Sequence, residues 1–392
     1  MSYLGLLLFL PFASCTKTPP DIIFILADDL GWDDVSFHGS SQIPTPNLDA
    51  LAADGVILNS YYAQPACTPS RAALMTGLYP MRTGMEGFTI DVAEAWALPL
   101  NLRILPQYLK DLGYETHLVG KWNLGYYAES FTPTFRGFDT FYGYYNGEED
   151  YYTHSITYWN LGYYAESFTP TFRGFDTFYG YYNGEEDYYT HSITYSAMHQ
   201  PSSVKGRPLP LSWSCPKRMP VVPMSNPSLS SCEAVLRATC SDDQLWLVGR
   251  ACLEMSAVHG TDIDGHLQAP QENVDKFPYI GEEERTIFAG MVDAMDQSVG
   301  EVFEALSDAG MLPNSVVAFS SDNGGAPFGA HSSRSFNWPL RGTKGTLWEG
   351  ATRSAAFVWS PLLHRRRRVS NELMHITDWL PTLYSLGGMC AA

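Results

Sequence analysis

The chain contains 392 residues, of which 45% are hydrophobic and 17% are charged. This length and composition exclude a disordered chain and allow either one large domain or two ordinary ones, each with a buried core. Lys and Arg total 24 against 42 Asp and Glu, and the net charge of −18 argues against binding to nucleic acid or to an anionic membrane. This charge is compatible with an anionic substrate held in a locally positive pocket.

The first fifteen residues contain a short apolar run that is followed by small residues. The run is too short to span a bilayer and resembles a secretory signal peptide, although no Lys or Arg precedes it. We therefore expect residues 1–15 to be a signal peptide and the protein to enter the secretory pathway, with a lysosomal or extracellular destination. No later segment of the sequence is long and apolar enough to cross a membrane.

Residues 21–27 form a continuous apolar run, which is typical of a strand buried on both faces of a parallel sheet. Residues 282–309 carry apolar side chains at helical spacing and are followed by Gly310. Further helices are predicted at residues 45–55, 69–77 and 102–112, and further strands at residues 114–120, 316–320 and 355–359. Because helices alternate with apolar strands, we expect an α/β fold with a largely parallel sheet.

Two parts of the chain interrupt this pattern. Residues 122–158 recur without a change as residues 159–195, and zero divergence over 37 residues favours a recent duplication or an assembly error over a repeat fold. Residues 196–255 are rich in Pro and Ser and show no sustained period. We interpret them as a stretch foreign to the fold, because loops of this length are rare in compact domains; a long functional loop is the alternative.

Oxygen-bearing side chains follow two of the predicted strands. Asp28 and Asp29 come directly after the first strand, and Asp322 and Asn323 come after the strand at residues 316–320. Ligands gather at the carboxyl ends of parallel strands, and three carboxylates with an amide oxygen suit a hard cation such as Ca²⁺ or Mg²⁺. Capping of the following turns is the alternative for either pair alone.

A third group of residues is the string Cys67-Thr68-Pro69-Ser70-Arg71. Cys67 precedes a predicted helix N-terminus, where backbone N–H groups and the helix dipole favour an anion. Arg71 lies one turn further on, on a face that can reach the same anion. Taken alone, the string predicts either a reactive thiolate or an anion-binding turn.

The string Cys-x-Pro-Ser-Arg, followed by Ala-Ala-Leu-x-Thr-Gly, resembles the signature of the sulfatase family, in which the Cys is oxidised to formylglycine. The resemblance covers residues 21–158 and 256–388 and is closest to the arylsulfatase B branch. The further matching strings are Gly120-Lys121-Trp122, Arg136-Gly137-Phe138-Asp139-Thr140-Phe141, Asp322-Asn323-Gly324-Gly325, Arg341-Gly342-Thr343-Lys344, Leu347-Trp348-Glu349-Gly350 and Trp379-Leu380-Pro381-Thr382-Leu383.

The resemblance implies a catalytic domain at residues 20–388 with an alkaline-phosphatase/sulfatase-like fold, without the family's smaller C-terminal domain. It implies hydrolysis of aryl sulfates or sulfated carbohydrates, such as sulfated N-acetylgalactosamine in glycosaminoglycans. The formylglycine hydrate would attack sulfur and then release sulfate, and the formylglycine-generating enzyme would be a partner during maturation. The implied catalytic residues are Cys67, Arg71, Lys121, His259 and Lys344, and the implied Ca²⁺ ligands are Asp28, Asp29, Asp322 and Asn323.

The sequence departs from the family pattern at two histidines. Asn123 stands where the family has a His after Lys-Trp, and an amide cannot accept a proton near neutral pH. The alternative function is therefore a catalytically impaired sulfatase homologue or the product of a defective gene. The next family His matches His259, with His266 as the runner-up and a structural loop His as the other alternative. A phosphatase of the same superfold would be expected to carry Ser or Thr at position 67.

Overall fold

The computed structural model describes residues 19–91, 94–147, 267–328 and 332–388, together with the backbone of three further short strands. The strands are β1 Asp21–Ala27, β2 Val56–Leu58, β3 Tyr61–Tyr62, β4 Thr116–Lys121, β5 Thr140–Tyr144, β6 Thr153–Ser155, β7 Glu186–Tyr188, β8 Ala251–Leu253, β9 Ser315–Ser321, β10 Ala356–Trp359, β11 Arg368–Ser370 and β12 Met374–His375. The α-helices are α1 Pro46–Asp54, α2 Cys67–Thr76, α3 Pro80–Thr83, α4 Leu105–Asp111, α5 Gln271–Val274, α6 Glu283–Asp308, α7 Glu349–Thr352 and α8 Trp379–Gly388.

Eight of these strands form one sheet in the order β11-β2-β10-β9-β1-β8-β4-β5. The pairs of β1 with β8 and β9, of β4 with β5 and β8, and of β2 with β11 are parallel. β10 runs antiparallel to both of its neighbours. β12 pairs with β3, and β6 pairs with β7, in two small separate sheets. The mixed, mostly parallel sheet agrees with the predicted α/β class.

The central sheet is buried on both faces because its strands are apolar at consecutive positions. Alternate residues of β1 contribute to two different cores: Phe24 packs with Trp379 of α8, and Ile25 packs with Phe288 and Val292 of α6. The long helix α6 thus covers one face of the sheet, while α2, α4 and α8 cover the other. This three-layer packing fixes the carboxyl ends of the parallel strands β1, β4 and β9 at the same edge of the sheet.

Most predicted elements match the observed ones to within a few residues, and the differences have local causes. The helix expected from residue 102 begins at Leu105, because the preceding residues form a turn in which the Leu102 N–H donates to the Pro99 carbonyl. The helix expected from Pro69 begins at Cys67, because proline is tolerated in the first turn of a helix, where its missing N–H has no partner to lose. The signature cysteine is therefore the first residue of α2.

The structure describes only Ala251–Leu253 of residues 196–255. These three residues form β8, which pairs in parallel with both β1 and β4 near the centre of the sheet. These three residues thus lie between β1 and β4, and the interpretation of residues 196–255 as foreign to the fold stays a prediction. Among the described residues, no helix is long and apolar enough to cross a membrane.

Candidate active site

The two acidic strand ends meet at the carboxyl edge of the sheet. β1 and β9 pair in register as far as Ala27 and Ser321, so the residues that follow them are neighbours. The backbone N–H of Asp29 donates to Oδ1 of Asp322 at 3.3 Å, and Asp28, Asp29 and Asp322 are fully buried. These residues are therefore neighbours, as expected for the ends of adjacent parallel strands, and their role as metal ligands stays a prediction.

Cys67, the first residue of α2, lies next to these carboxylates. The turn before it is held by Ser70, whose hydroxyl accepts from the Gln64 N–H at 2.9 Å and bonds the Gln64 carbonyl. The Cys67 thiol donates to Oδ1 of Asp28 at 3.4 Å. Burial and the charge of Asp28 raise the pKa of the Cys67 thiol far above its ordinary value. The unmodified side chain is therefore neutral, which disfavours the reactive-thiolate interpretation.

Arg71 lies one turn into α2 and is almost completely buried. Its Nη2 is 3.0 Å from Oδ2 of Asp322 and 3.4 Å from Oδ2 of Asp28. Its Nη1 donates to the carbonyl of Lys121 at 2.9 Å. Although burial lowers the pKa of Arg71, the two carboxylates outweigh that effect and raise it, so the guanidinium is charged and connects α2, β1, β4 and β9.

Two lysines complete the charged group. Lys121 is the last residue of β4, and its Nζ donates to Oδ2 of Asp28 at 2.5 Å. Lys344 lies on the loop between β9 and α7, and its Nζ donates to Oδ2 of Asp29 at 2.7 Å. Burial lowers the pKa of each lysine, but the facing carboxylates outweigh this and raise it. Both ammonium groups are therefore charged.

Three buried cations thus balance three buried carboxylates at this edge of the sheet. Burial and the nearby charge of Asp28 raise the pKa of Asp322 to about 6, despite the opposing effect of Arg71. The charges of this buried cluster sum to zero. Adding a cation alone or an anion alone would leave a net buried charge, whereas adding both keeps the cluster neutral and costs less free energy. The arrangement therefore favours joint binding of a metal ion and an anionic substrate.

The residues present fit a hard divalent cation. Ligand atoms of Asp28, Asp29, Asp322 and Cys67 all lie within 4.8 Å of one another. The buried Asn323 donates from Nδ2 to Oδ1 of Asp29 at 2.6 Å, while its Oδ1 finds no hydrogen-bond partner in the described part of the chain. Carboxylate and amide oxygens are the ligands that Ca²⁺ and Mg²⁺ prefer, and the unpartnered amide oxygen is a free ligand position.

Asn123, which replaces the family His, lies against the start of α2. Its Oδ1 accepts hydrogen bonds from the hydroxyls of Thr68 and Thr89, both at 2.8 Å. It is buried and has a left-handed backbone with φ of 51°, a conformation that Asn and His adopt more readily than most residues. The amide is therefore engaged in neutral hydrogen bonds next to Cys67 and carries no titrating proton.

Every predicted site residue among the described residues belongs to this one cluster, and their chemical roles remain predictions. His259 and its alternative His266 lie outside the described residues.

Two residues that support the site, Thr89 and Asn337, were not predicted from the sequence. Thr89 holds Asn123, and Asn337 accepts from the Gly325 N–H at 2.8 Å and donates to the Gly325 and Gly342 carbonyls. Asn337 thereby fixes the loop that carries Lys344, whose own N–H donates to the Gly325 carbonyl. Neither residue lies in a recognisable string, because their partners are distant in sequence.

Residues 20–389 match the sulfatase family. The chain belongs to the sulfatase family. It is 39% identical to arylsulfatase J of Mus musculus over 367 residues, which cover 94% of this chain and 52% of that protein. It is 30% identical to N-acetylgalactosamine-6-sulfatase of Canis lupus familiaris over 393 residues, which cover 96% of this chain and 64% of that protein.

The solved structure of Ps i-CgsB has a TM-score of 0.67 and 27% identity to this chain, covering 95% of this chain and 72% of that one. The prediction of an α/β fold of the sulfatase type is therefore confirmed. The chain spans about half to two thirds of the length of the curated relatives that it matches.

Proposed function

We propose that this protein is a sulfuric ester hydrolase that cleaves sulfate monoesters at the carboxyl edge of its sheet. The observation that carries the proposal is the convergence of Arg71, Lys121 and Lys344 on the carboxylates that surround Cys67. Family membership supports the same chemistry. A Cys rather than a Ser or Thr at position 67 disfavours a phosphatase.

The cations bind and orient the anionic sulfate group in this proposal. Lys121 and Lys344 each direct an ammonium donor to a carboxylate of the cluster, and an ammonium group carries three such donors. The guanidinium of Arg71 and the amino end of α2 add fixed positive charge on the side of Cys67. Because these groups are buried and held before substrate binds, they stabilise developing charge without rearrangement.

The metal ligands of the proposal are Asp28, Asp29, Asp322 and Asn323, with Ca²⁺ as the ion. The Oδ1 of Asn323, which has no partner among the described residues, and the close approach of the three carboxylates support this set. A bound Ca²⁺ would supply Lewis-acid polarisation of the sulfate group.

Formylglycine derived from Cys67 is the proposed second prosthetic element, made by the formylglycine-generating enzyme. It would supply the nucleophile of a covalent mechanism. The buried, neutral Cys67 at the first position of α2 leaves the modified side chain directed at the charged cluster, with Asp28 within hydrogen-bonding range of Sγ. His259 is proposed as a contact to the sulfate or the leaving group.

Sulfated N-acetylgalactosamine in glycosaminoglycans is the proposed substrate, as in the arylsulfatase B branch. The similarity to N-acetylgalactosamine-6-sulfatase supports a sulfated amino sugar. The solved relative Ps i-CgsB also exists in complex with k-i-k-neocarrahexaose, which supports a carbohydrate ligand. We further propose that residues 20–388 form the catalytic domain and that the protein acts in the secretory pathway, in lysosomes or outside the cell.

A catalytically impaired sulfatase homologue is the second candidate, and Asn123 is the observation that favours it. Its side chain is held by Thr68 and Thr89 and cannot accept a proton in place of an imidazole. Such a protein would bind sulfate esters at the same cations without rapid turnover.

Turnover of matched aryl sulfate and aryl phosphate substrates tests the proposal, after co-expression with the formylglycine-generating enzyme. We expect hydrolysis of the sulfate to exceed that of the phosphate and to disappear in Cys67→Ala. Preferred hydrolysis of the phosphate, or sulfate hydrolysis that survives Cys67→Ala, would contradict the proposal. Binding of the aryl sulfate without turnover would favour the impaired homologue.

A further inference from the structure

The loop of residues 341–350 connects the charged cluster with the surface. Its ends are joined by the Gly350 N–H, which donates to the Arg341 carbonyl at 2.7 Å. In its middle, the Gly345 N–H donates at 2.6 Å to the carbonyl of Pro65, two residues before Cys67. The loop therefore holds the buried Lys344 at the cluster and, a few residues away on each side, two exposed side chains.

These exposed side chains are Arg341 and Trp348. The guanidinium carbon of Arg341 lies 3.7 Å from the centre of the Trp348 ring, and the tryptophan is 49% exposed. Stacking occupies the face of a guanidinium and leaves its in-plane N–H donors available. No carboxylate of the described residues pairs with Arg341, whereas the half-buried Arg334 and Arg353 pair with Glu284 and Glu349.

Phe88 borders the cluster on another side. The Lys344 Nζ lies 5.8 Å from the centre of its ring, and a Cβ placed on Gly345 would be 2.9 Å from its Cε2, so the phenyl group packs directly on the loop. The ring is nevertheless 42% exposed. The next residues bind inward, because Thr89 donates to Asn123 and the Ile90 N–H donates to Thr68.

We infer that these side chains form a binding site for the sugars of the substrate: Phe88 contacts the ring that bears the scissile sulfate, and the Arg341–Trp348 pair binds an anionic group on the neighbouring sugar. The inference rests on the proposed function for the identity of the first sugar. Aromatic faces pack on the apolar faces of sugar rings, and a planar guanidinium pairs with carboxylate or sulfate through two parallel hydrogen bonds. Arg341, which has no carboxylate partner within the described part of a chain of net charge −18, is complementary to such an anion.

Binding measurements by titration calorimetry test this inference, with a chondroitin 4-sulfate tetrasaccharide as the probe. The full chain carries Cys67→Ala so that no turnover occurs. We expect Arg341→Gln and Trp348→Ala each to raise the Kd roughly tenfold, as for loss of one charge-assisted contact. Arg365→Gln is the matched control, because it removes the same charge at an exposed position, and its Kd should equal that of the parent. Thermal melts check that each variant folds.

A desulfated tetrasaccharide identifies the anionic group. If Arg341→Gln weakens both probes, the group is the carboxylate of the neighbouring uronic acid; if it weakens only the sulfated probe, the group is a second sulfate. Absence of binding by the parent, or equal Kd values for the Arg341 and Arg365 variants with the sulfated probe, would overturn the inference. Because no turnover is involved, this result is distinct from a failure of aryl sulfate hydrolysis, which would overturn the proposed function instead.

Discussion

Two of the groups of buried charges among the described residues are satisfied in different ways. The first is Asp34 with Arg285. Asp34 accepts from the Gly31 and Phe336 N–H groups and from Arg285 at 2.7 Å, while Arg285 also donates to Gln42 and to the Arg334 carbonyl and stacks on Phe336. Both oxygens of the Asp34 carboxylate accept hydrogen bonds from the protein. The ion pair connects α6 with the segments that contain Asp34 and Phe336.

The second group is the cluster around Cys67. Its cations and carboxylates balance each other, but the Asn323 amide oxygen has no partner within the described chain, and the pKa of Asp322 is raised to about 6. These features indicate charges arranged for a ligand. An unpartnered polar atom is not unique to this cluster, because Nη2 of Arg285 also lacks a partner within the described chain, and burial raises the pKa of Asp34 as well. The comparison teaches that burial alone does not distinguish a structural ion pair from a functional one; the gathering of three carboxylates and three cations beside Cys67 does.

Removal of Arg285 gives the largest expected effect on stability. Arg285→Met leaves Asp34 buried without its cation, so we expect the free energy of unfolding to fall by about 3–5 kcal/mol, measured by urea denaturation. The kcat/KM of the folded protein should change less than threefold, roughly the scatter of a surface substitution. A loss of activity with unchanged stability would instead assign Arg285 to the functional group. Arg365→Met, at an exposed position, is the control.

Removal of Lys344 tests whether the cations of the cluster around Cys67 act in catalysis. Lys344→Met keeps the length of the side chain but deletes a charge directed at Asp29, and we expect kcat/KM for an aryl sulfate to fall roughly 10²–10³-fold, as for loss of one preorganised donor. Steady-state kinetics provide the measurement. A change of less than threefold would show that this lysine serves only to neutralise Asp29.

Replacement of Asn123 tests whether the cluster lacks a proton acceptor. In Asn123→His an imidazole occupies a left-handed position that His tolerates, and we expect kcat to rise roughly 10-fold or more, in line with general acid–base contributions. Asn123→Gln, which retains an amide, is the control and should give no gain. Equal rates for the two variants would contradict a role for this position in the proton transfer.

The pH dependence of stability gives the smallest effect and concerns the loop that carries Asp34. Burial lowers the pKa of His38 to about 4, with a contribution from Arg353, while its bond to the Trp32 carbonyl opposes the shift. The pKa of His38 in the folded state lies below the unfolded value of about 6.5. The contribution of neutral, buried His38 to the free energy of unfolding is therefore fully present above pH 6.5 and is lost as the pH falls toward 4.

His38→Phe keeps the stacking on Trp32, whose ring centre lies 3.8 Å from that of His38, and removes the titration. We expect the melting temperature of the wild type to fall between pH 7 and pH 4.5, and that of the variant to fall less. The difference between the two proteins corresponds to about 1–3 kcal/mol in the free energy of unfolding. His375, whose pKa burial also lowers to about 4, titrates in both proteins and provides the shared background. Parallel pH profiles would contradict the assignment to His38.

Local patterns predicted the elements that carry the site. The apolar run of residues 21–27 predicted β1, and the helical spacing of apolar residues predicted α6. The rule that ligands gather at the carboxyl ends of parallel strands predicted that the acidic residues after β1 and β9 are neighbours. Long-range contacts that do not lie at strand ends were not predictable in this way. The bond of Thr89 to Asn123 and the antiparallel direction of β10 depend on tertiary packing, and no local pattern encodes them.

The mass of the peptide that contains Cys67, measured on the same preparation as aryl sulfate turnover, tests the central claim most directly. After co-expression with the formylglycine-generating enzyme, the account predicts an aldehyde at position 67 and a turnover rate that rises in proportion to the aldehyde fraction across preparations. An unmodified thiol in a preparation that hydrolyses aryl sulfate at the same rate would contradict it.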